Sequence, residues 1–376
     1  MNIKKDKPVV WIVCSGLGHI NRGYESFTRE CYDALATSES FDLYLLKGGG
    51  EKVGKEIVVN NFPRQQSAAK WIGKLLRKEP YFVEQLSFFL SMIPLLKRKK
   101  PAVIFYSDFI LGTFLWQLRR RFQFSYKLLY SNGAPNGPPF TRTDHIQQLL
   151  PLYVKQALKG GTDISCQTLL PYAIQVNKAA AIQAWQQTAL LRKQLGLPQH
   201  KKIVISVGAV NTHHKRMDYV VREFSRLQQE SFFLVILGQT DANSSSILEL
   251  AEELLPADNY IIKQVESETV RNYLFASDYF VLASLNEGLP RVLPEALSAG
   301  LLPIVHDYGV TRETLGKHGI FADLTVEQNL TGAINRAIVA GISKEELLNY
   351  CFDTYSWDKL TPQYEAMITK LVNEIQ

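Results

Sequence analysis

Short apolar runs alternate with stretches of helical period along most of the chain. Residues 8–14, 41–46, 102–108 and 127–133 are such runs in the first half. Residues 202–208, 232–238, 260–265, 279–283 and 302–305 are their counterparts in the second. Each is rich in aromatic and β-branched residues and is bounded by Gly, Pro, Ser or Asp, which reads as a buried strand. Between them the pattern predicts helices over 24–36, over 173–195 ended by Gly196, over 219–227 and over 355–375 with Leu360, Tyr364, Met367 and Leu371 on one face. A further helix begins near Val292, where Val292, Ala296, Leu297 and Ala299 share a face and Gly300 stops it. The class is α/β.

At 376 residues the chain exceeds one ordinary core and fits two domains. The boundaries read as 1–170, 171–355 and a terminal helical segment 356–376, with the linker near Leu169, Leu170, Pro171 and Tyr172. Its 46% hydrophobic and 21% charged residues are those of a globular domain protein. Cys14, Cys31, Cys166 and Cys351 are far apart and form no Cys-x-x-Cys pair, so neither a zinc site nor a disulfide framework is expected. A reducing cytoplasm suits such a chain. No secretory leader is read at the start, and no apolar run approaches the roughly 18 residues of a membrane span.

Charge is shared unevenly. Residues 1–170 carry 24 Lys and Arg against 13 Asp and Glu, and residues 171–376 carry 18 against 23. The basic excess includes 64–100, where Trp71, Ile72, Leu75 and Leu76 interleave with Lys70, Lys74, Arg77 and Lys78, followed by apolar residues and then Lys97, Arg98, Lys99 and Lys100. Two readings stand: a basic amphipathic helix in a membrane interface, or a core-facing helix with a solvated basic side. Nucleic acid is not expected as a partner.

Chemistry concentrates between Ala283 and Glu313. The strand ending at Ser284 gives way to a loop, Glu287-Gly288-Leu289-Pro290, then to the helix that carries Glu295, then to a second strand. Two acceptor-only carboxylates beside outward-pointing helix amides suit a ligand with hydroxyls at its ends and phosphates between, such as a sugar nucleotide. The alternative is a dipole-favoured helix carboxylate and a solvated loop Glu.

Ser284, Glu287, Gly288, Pro290, Glu295, Ala296, Gly300, Pro303, Val305, Gly309 and Glu313 resemble the Glu-x7-Glu motif of the family-four glycosyltransferases. The resemblance implies a GT-B fold: two Rossmann-like domains facing across a cleft, with the C-terminal helix returning to the N-terminal domain. It further implies retaining transfer of a hexosyl or pentosyl unit from a UDP- or GDP-sugar to a hydroxyl of a small-molecule, lipid or glycan acceptor. On this reading Glu287 binds sugar hydroxyls, Glu295 the ribose, and Gly288, Leu289, Pro290 and Arg291 complete the loop. Residues 206–218 resemble the family stretch Val-Gly-Arg, spacer, Lys-Gly-x-Asp that grips the donor diphosphate. Gly208 and Lys215 match it, whereas Ala209 replaces the family Arg and Arg216 the family Gly, so Arg216 or Arg291 is expected to supply the missing charge. The nucleobase is expected near Val265 and Glu266.

In the first half Gly16 and Gly18 form a Gly-x-Gly turn after the first strand, with Asn21 where a third glycine would mark a dinucleotide site. The turn is either a tight structural corner or, as the resemblance implies, a loop facing the transferred sugar. His19, Asp108, Asn132, Arg142 and His145 are the acceptor-side candidates. Asn132 stands where similar enzymes place a His; Arg142, Asp144 and His145 read as the start of a helix, and His145 is the candidate replacement imidazole. Glu287, Lys215, His145 and Asn132 are the catalytic candidates. No Asp-x-Asp occurs and His213-His214 has no ligand partner at metal spacing, so no metal is expected, and no cofactor beyond the sugar-nucleotide co-substrate. An epimerase of the same fold and a non-catalytic sugar-nucleotide- or lipid-binding subunit are the rival readings. The place of action expected is the cytoplasm, at or away from the inner face of the membrane.

Overall fold

The computed structural model describes residues 7–375 apart from Asn21, Pro135, Gln229 and residues 241–243. The chain divides into two units, Met1–Ala173 with Trp357–Gln376, and Ile174–Ser356.

In the first unit the strands are β1 (Val9–Cys14), β2 (Asp42–Lys47), β3 (Glu56–Val58), β4 (Val103–Tyr106), β5 (Lys127–Ser131), β6 (His145–Gln148) and β7 (Gln167–Leu169). The helices are α1 (Gly23–Leu35), α2 (Ser67–Leu76), α3 (Pro80–Lys99), α4 (Phe109–Phe122) and α5 (Pro151–Lys159). The sheet is parallel in the order β3-β2-β1-β4-β5-β6-β7. Strands β1 and β4 are completely buried apart from Val9, because helices cover both faces. The order reverses between β1 and β4.

In the second unit α6 (Lys178–Gln186) and α7 (Thr188–Leu195) precede the sheet. Then come β8 (Lys202–Val207), α8 (Met217–Phe224), β9 (Phe232–Leu237), α9 (Ser245–Leu254), β10 (Tyr260–Lys263), α10 (Ser267–Ala276) and β11 (Tyr279–Leu282). The unit continues with α11 (Val292–Ser298), β12 (Leu302–His306), α12 (Gly309–Leu315), β13 (Ile320–Ala322), α13 (Asn329–Val339) and α14 (Lys344–Tyr355). The sheet, again parallel, runs β10-β9-β8-β11-β12-β13, with the reversal between β8 and β11. One core, from Ile203 and Leu234 through Phe280 and Ile304, fills it.

The last helix, α15 (Trp357–Asn373), belongs to the first unit. Trp357 and Tyr172 both stack on Phe27, at 6.0 and 3.9 Å between ring centres. The Tyr364 hydroxyl accepts from Gln147 Nε2 at 2.7 Å and donates to the Pro171 carbonyl at 2.8 Å.

Three expectations are corrected. The helix read over 173–195 is two helices, broken where Gln187 leaves helical geometry at φ −105°, ψ 15°. The basic stretch 64–100 is also two helices, because Arg77 turns left-handed at φ 53° and Pro80 restarts the chain. Arg142, Asp144 and His145 do not start a helix: His145 opens strand β6, whose His-Ile-Gln-Gln sequence is buried throughout. Polar side chains stand inside that sheet because most of their polar atoms find partners there, the Gln147 Oε1 being without one among the described residues. Gln147 donates to the Leu170 carbonyl, and Gln148 takes a hydrogen bond from Asn132 and gives one to Gln167.

Among the described residues no helix is long and apolar enough to cross a membrane.

Candidate functional site

Loops after parallel strands gather at the carboxyl edge of a sheet, and a crevice opens where the strand order reverses. In the second unit that point lies between β8 and β11, so the loops 208–216 and 283–291 are neighbours. Lys215 Nζ from the first loop pairs with Glu287 Oε1 from the second, and His214 Nε2 lies 3.6 Å from Glu287 Oε2. The pair is mostly out of water, with side-chain exposures of 15% for Lys215 and 10% for Glu287.

The backbone explains how Lys215 gets there. Asn211 Oδ1 accepts from the amides of His214 at 3.0 Å and Lys215 at 2.9 Å, and its carbonyl accepts from Met217 at 3.0 Å, which folds the loop back onto α8. The Lys215 stem then lies over Gly208, where a Cβ would stand 3.0 Å from two of its carbons. Gly238, at the end of β9, is tighter still: a Cβ there would be 1.7 Å from the Gly208 carbonyl oxygen. Asn211 was not foreseen in the sequence; the Asx pattern before a helix was its available signal.

Arg216 occupies the position where the resembled pattern has glycine, and it adopts the left-handed backbone that glycine favours, φ 51° and ψ 46°. Its guanidinium donates to the Leu324 carbonyl at 2.6 Å and lies 4.4 Å from the Tyr219 ring centre. Its head is thus held on the β13 side of the unit in this structure. Arg291 is buried and its Nε stands 3.9 Å from Glu295 Oε1, one turn on, while the Glu295 side chain keeps 39% of its surface. Leu289 and Pro290 are buried, Gly288 is half-buried, and the Pro290 carbonyl accepts from Leu293 at 2.9 Å to start α11. Ser284, 1% exposed at the root of the same loop, has a hydroxyl with no hydrogen-bond partner among the described residues. Val265 and Glu266 lie in the loop between β10 and α10, Glu266 exposed and Val265 half-buried.

The first unit has its own polar cluster at its reversal point. Glu84, fully buried, accepts two hydrogen bonds from the Arg64 guanidinium at 2.9 and 2.6 Å, one from the Arg64 amide at 2.9 Å and one from Ser15 at 2.9 Å. Burial alone would raise its carboxyl, but Arg64 outweighs that and holds it below the usual carboxylate range. Asp108, after β4, accepts from the Tyr81 hydroxyl, and burial together with the Glu25 carboxylate pushes it up to about 6 against that hydrogen bond. Glu84, Tyr81 and Glu25 were not singled out in the sequence, since each sits in a helix whose pattern reads as ordinary packing.

Gly16 and Gly18 serve close packing here. A Cβ on Gly16 would meet Glu25 Oε1 at 2.6 Å, and one on Gly18, which has φ +91°, would meet the Gly49 carbonyl at 2.2 Å. His19 lies against Gly48 and Gly49, its Nε2 2.8 Å from the Gly48 carbonyl oxygen. Asn21 lies outside the described residues. Asn132 is 1% exposed; its Nδ2 donates to Gln148 at 2.9 Å and its Oδ1 accepts from the Asn136 amide at 2.9 Å. His145 is likewise 1% exposed, with Nε2 2.8 Å from the Thr168 hydroxyl, and burial and Lys370 lower it to about 4. Both therefore tie strands and loops inside the unit instead of presenting polar atoms to an opening. Arg142 is exposed beside a cavity of about 320 Å³ lined also by Tyr106, Phe109, Tyr130 and Phe140. The structure thus brings Lys215, Glu287, Arg291 and Glu295 to one edge of the second sheet, and separates Asn132 and His145 from any open edge.

Residues 187–352 match the family model of Glycosyl transferases group 1, a segment lying wholly within the second unit. The putative teichuronic acid biosynthesis glycosyltransferase TuaC of Bacillus subtilis is 29% identical over 188 residues, 50% of this chain and 45% of that protein. The glycogen synthase of Clostridium perfringens is 27% identical over 197 residues, 48% of this chain and 40% of that protein. The matches therefore span less than half the length of these relatives. Among solved structures, sucrose-phosphate synthase from Thermosynechococcus elongatus superimposes with a TM-score of 0.79 at 17% identity, over 98% of this chain and all of that one. The catalytic domain of starch synthase IV from Arabidopsis thaliana, bound to ADP and acarbose, gives 0.71 at 14% identity over 98% and 100% of the two chains. The fold is GT-B, with two parallel-sheet Rossmann-like domains.

Proposed function

We propose that this protein is a retaining glycosyltransferase that moves a sugar from a nucleoside diphosphate donor to an acceptor hydroxyl, with no metal ion, and that the second unit holds the donor. The observation that carries the reading is the Lys215–Glu287 pair. It spans the loops on either side of the strand reversal, inside the segment that matches Glycosyl transferases group 1.

On this reading the Lys215 ammonium neutralises charge on the leaving diphosphate as the bond from the anomeric carbon to phosphate oxygen breaks. Glu287, with two acceptor oxygens at a nearly dry position, holds donor sugar hydroxyls, and the more exposed Glu295 holds ribose hydroxyls. Arg291, anchored one turn from Glu295, replaces part of the positive charge that Ala209 lacks. The hydroxyl of Ser284 is a further group suited to a donor oxygen.

The experiment has two parts. A thermal-shift panel of UDP-, GDP- and ADP-sugars should single out one donor by a rise in Tm, since binding to the folded state stabilises it. Release of the matching nucleoside diphosphate should then rise when hydroxyl-bearing acceptors are added. Binding without acceptor-dependent release across lipid, glycan and small-molecule acceptors would instead make the protein a sugar-nucleotide-binding subunit. Interconversion of the donor with no acceptor would make it an epimerase.

A further inference from the structure

Helix α2 presents to solvent the side that an amphipathic helix ordinarily turns to a core. Of its ten residues only Ala69 and Gly73 are buried. Advancing about 100° per residue, Trp71, Leu75, Ala68, Ile72 and Leu76 form one continuous apolar arc that runs from Trp71, opposite the buried pair, round to Leu76 next to Ala69, with Ile72 half-buried. Trp71 is 67% exposed, Leu75 69% and Leu76 46%. Lys70, Lys74, Arg77 and Lys78 flank that arc, and no acidic residue occurs from Arg64 to Lys78. The Arg64 guanidinium is engaged by Glu84 and stands apart from this group.

The neighbouring helix shows the contrast. Helix α3 buries Val83, Phe88, Phe89, Met92 and Leu96 in the core of the first unit, so the apolar residues of 64–100 serve two different ends. The α2 face is also held firmly. The Lys78 amide donates to the Gly73 carbonyl at 2.9 Å and Arg77 takes the left-handed turn that closes the helix, and α2 packs along α3.

We propose that this face of α2 docks on a bilayer surface rich in anionic phospholipid. Trp71, Leu75 and Leu76 enter the boundary between headgroups and acyl chains, while Lys70, Lys74, Arg77 and Lys78 pair with lipid phosphates. The occupant follows from charge and shape together. A flank of four cations, with the exposed Glu79 as the one acid next to it in the chain, selects an anionic surface, and an aromatic ring beside leucines on a short rigid helix matches the depth of the interface. The inference does not rest on the catalytic reading, because every residue in it lies outside the second unit.

The test is co-sedimentation of the full chain with vesicles of phosphatidylcholine alone and of phosphatidylcholine mixed with phosphatidylglycerol. Binding is expected to the mixed vesicles only, to weaken as salt is raised, and to blue-shift tryptophan emission in the parent protein but not in Trp71→Phe. A variant combining Lys70→Gln, Lys74→Gln, Arg77→Gln and Lys78→Gln should partition roughly 100-fold more weakly or worse. Trp71→Ser with Leu75→Ser should also detach the protein. All six positions are exposed, so unchanged Tm values should show that the fold is kept. Equal binding to neutral vesicles, an unshifted emission spectrum, or a charge variant that sediments like the parent would overturn the proposal. So would a dimer in sedimentation equilibrium that Trp71→Ser with Leu75→Ser dissolves, which would assign the face to a second copy of this chain.

Discussion

Replacing each member of the Lys215–Glu287 pair in turn should separate phosphate recognition from sugar recognition. Lys215→Met deletes the ammonium and keeps much of the stem over Gly208. Removing one partner of a fully buried pair costs about 3–5 kcal/mol. Here both side chains retain some solvent and His214 lies 3.6 Å from the second Glu287 oxygen, so about 1–2 kcal/mol is expected. For a unit of this size each kcal/mol moves Tm by about 2–4 °C, which makes the shift roughly 2–8 °C. The larger effect is on ligand binding. A charged hydrogen bond to phosphate contributes about 1.5–3 kcal/mol, so the nucleoside diphosphate should bind roughly 10- to 100-fold more weakly. Glu287→Gln should behave differently. It leaves the ammonium in place, so affinity for the bare diphosphate should stay within about threefold of the parent, while the added affinity for the sugar-bearing donor disappears and transfer falls roughly 100-fold. Calorimetry with the diphosphate and with the intact donor, alongside a diphosphate-release assay, reads all of these quantities. Undiminished diphosphate affinity in Lys215→Met, or transfer within twofold of the parent in Glu287→Gln, would refute the assignment of the two roles.

Three further outcomes follow from the geometry. Arg216→Gly and Arg216→Ala both lose the contacts to Leu324 and Tyr219, but only alanine keeps a Cβ at φ 51°, so urea unfolding should find Arg216→Ala less stable by about 1 kcal/mol. Gly238→Ala would drive a Cβ into the Gly208 carbonyl; a Tm at least about 6 °C lower and loss of donor binding are expected, by differential scanning fluorimetry. His145, lowered to about 4 from an ordinary 6.5, is neutral in the folded sheet at pH values where the unfolded chain takes up a proton. Stability linked to it is intact above about 6.5 and is lost as pH falls toward about 4, about 3 kcal/mol in all, so His145→Gln should flatten the pH dependence of unfolding in that window by this amount.

Nine strands, β1, β2, β4, β5 and β8 to β12, were legible from the sequence, and so was the Glu287 to Gly300 segment, because a buried parallel strand and a glycine-stopped helix write themselves in residue type. The three-residue strands β3, β7 and β13 were not, being too short for a run to stand out. Gly300 fits its reading at φ +74°, where a Cβ would press on the Trp185 ring at 2.7 Å. Strand β6 was not legible. His145, Gln147 and Gln148 are as buried as any valine in the sheet, but what makes this favourable is a set of partners, among them Asn132, Gln167 and Tyr364, that periodicity does not reveal. The same gap hid the cluster around Glu84. Its partners Ser15 and Arg64 come from distant stretches, and a buried carboxylate among phenylalanines looks in one dimension like a solvated position on an amphipathic helix. Arg216 was legible as a departure from a pattern but not as an engaged side chain, since Leu324 and Tyr219 are known as its partners only once the chain is folded.

The return of α15 to the first unit has a consequence for biosynthesis. The aromatic floor formed by Phe27 and Tyr172 is roofed by Trp357 and Tyr364, which the ribosome delivers only after the whole of 174–356 has been made. The part synthesised first is therefore the part completed last. A nascent chain paused anywhere within the second unit displays that uncovered aromatic floor to chaperones and to neighbouring chains.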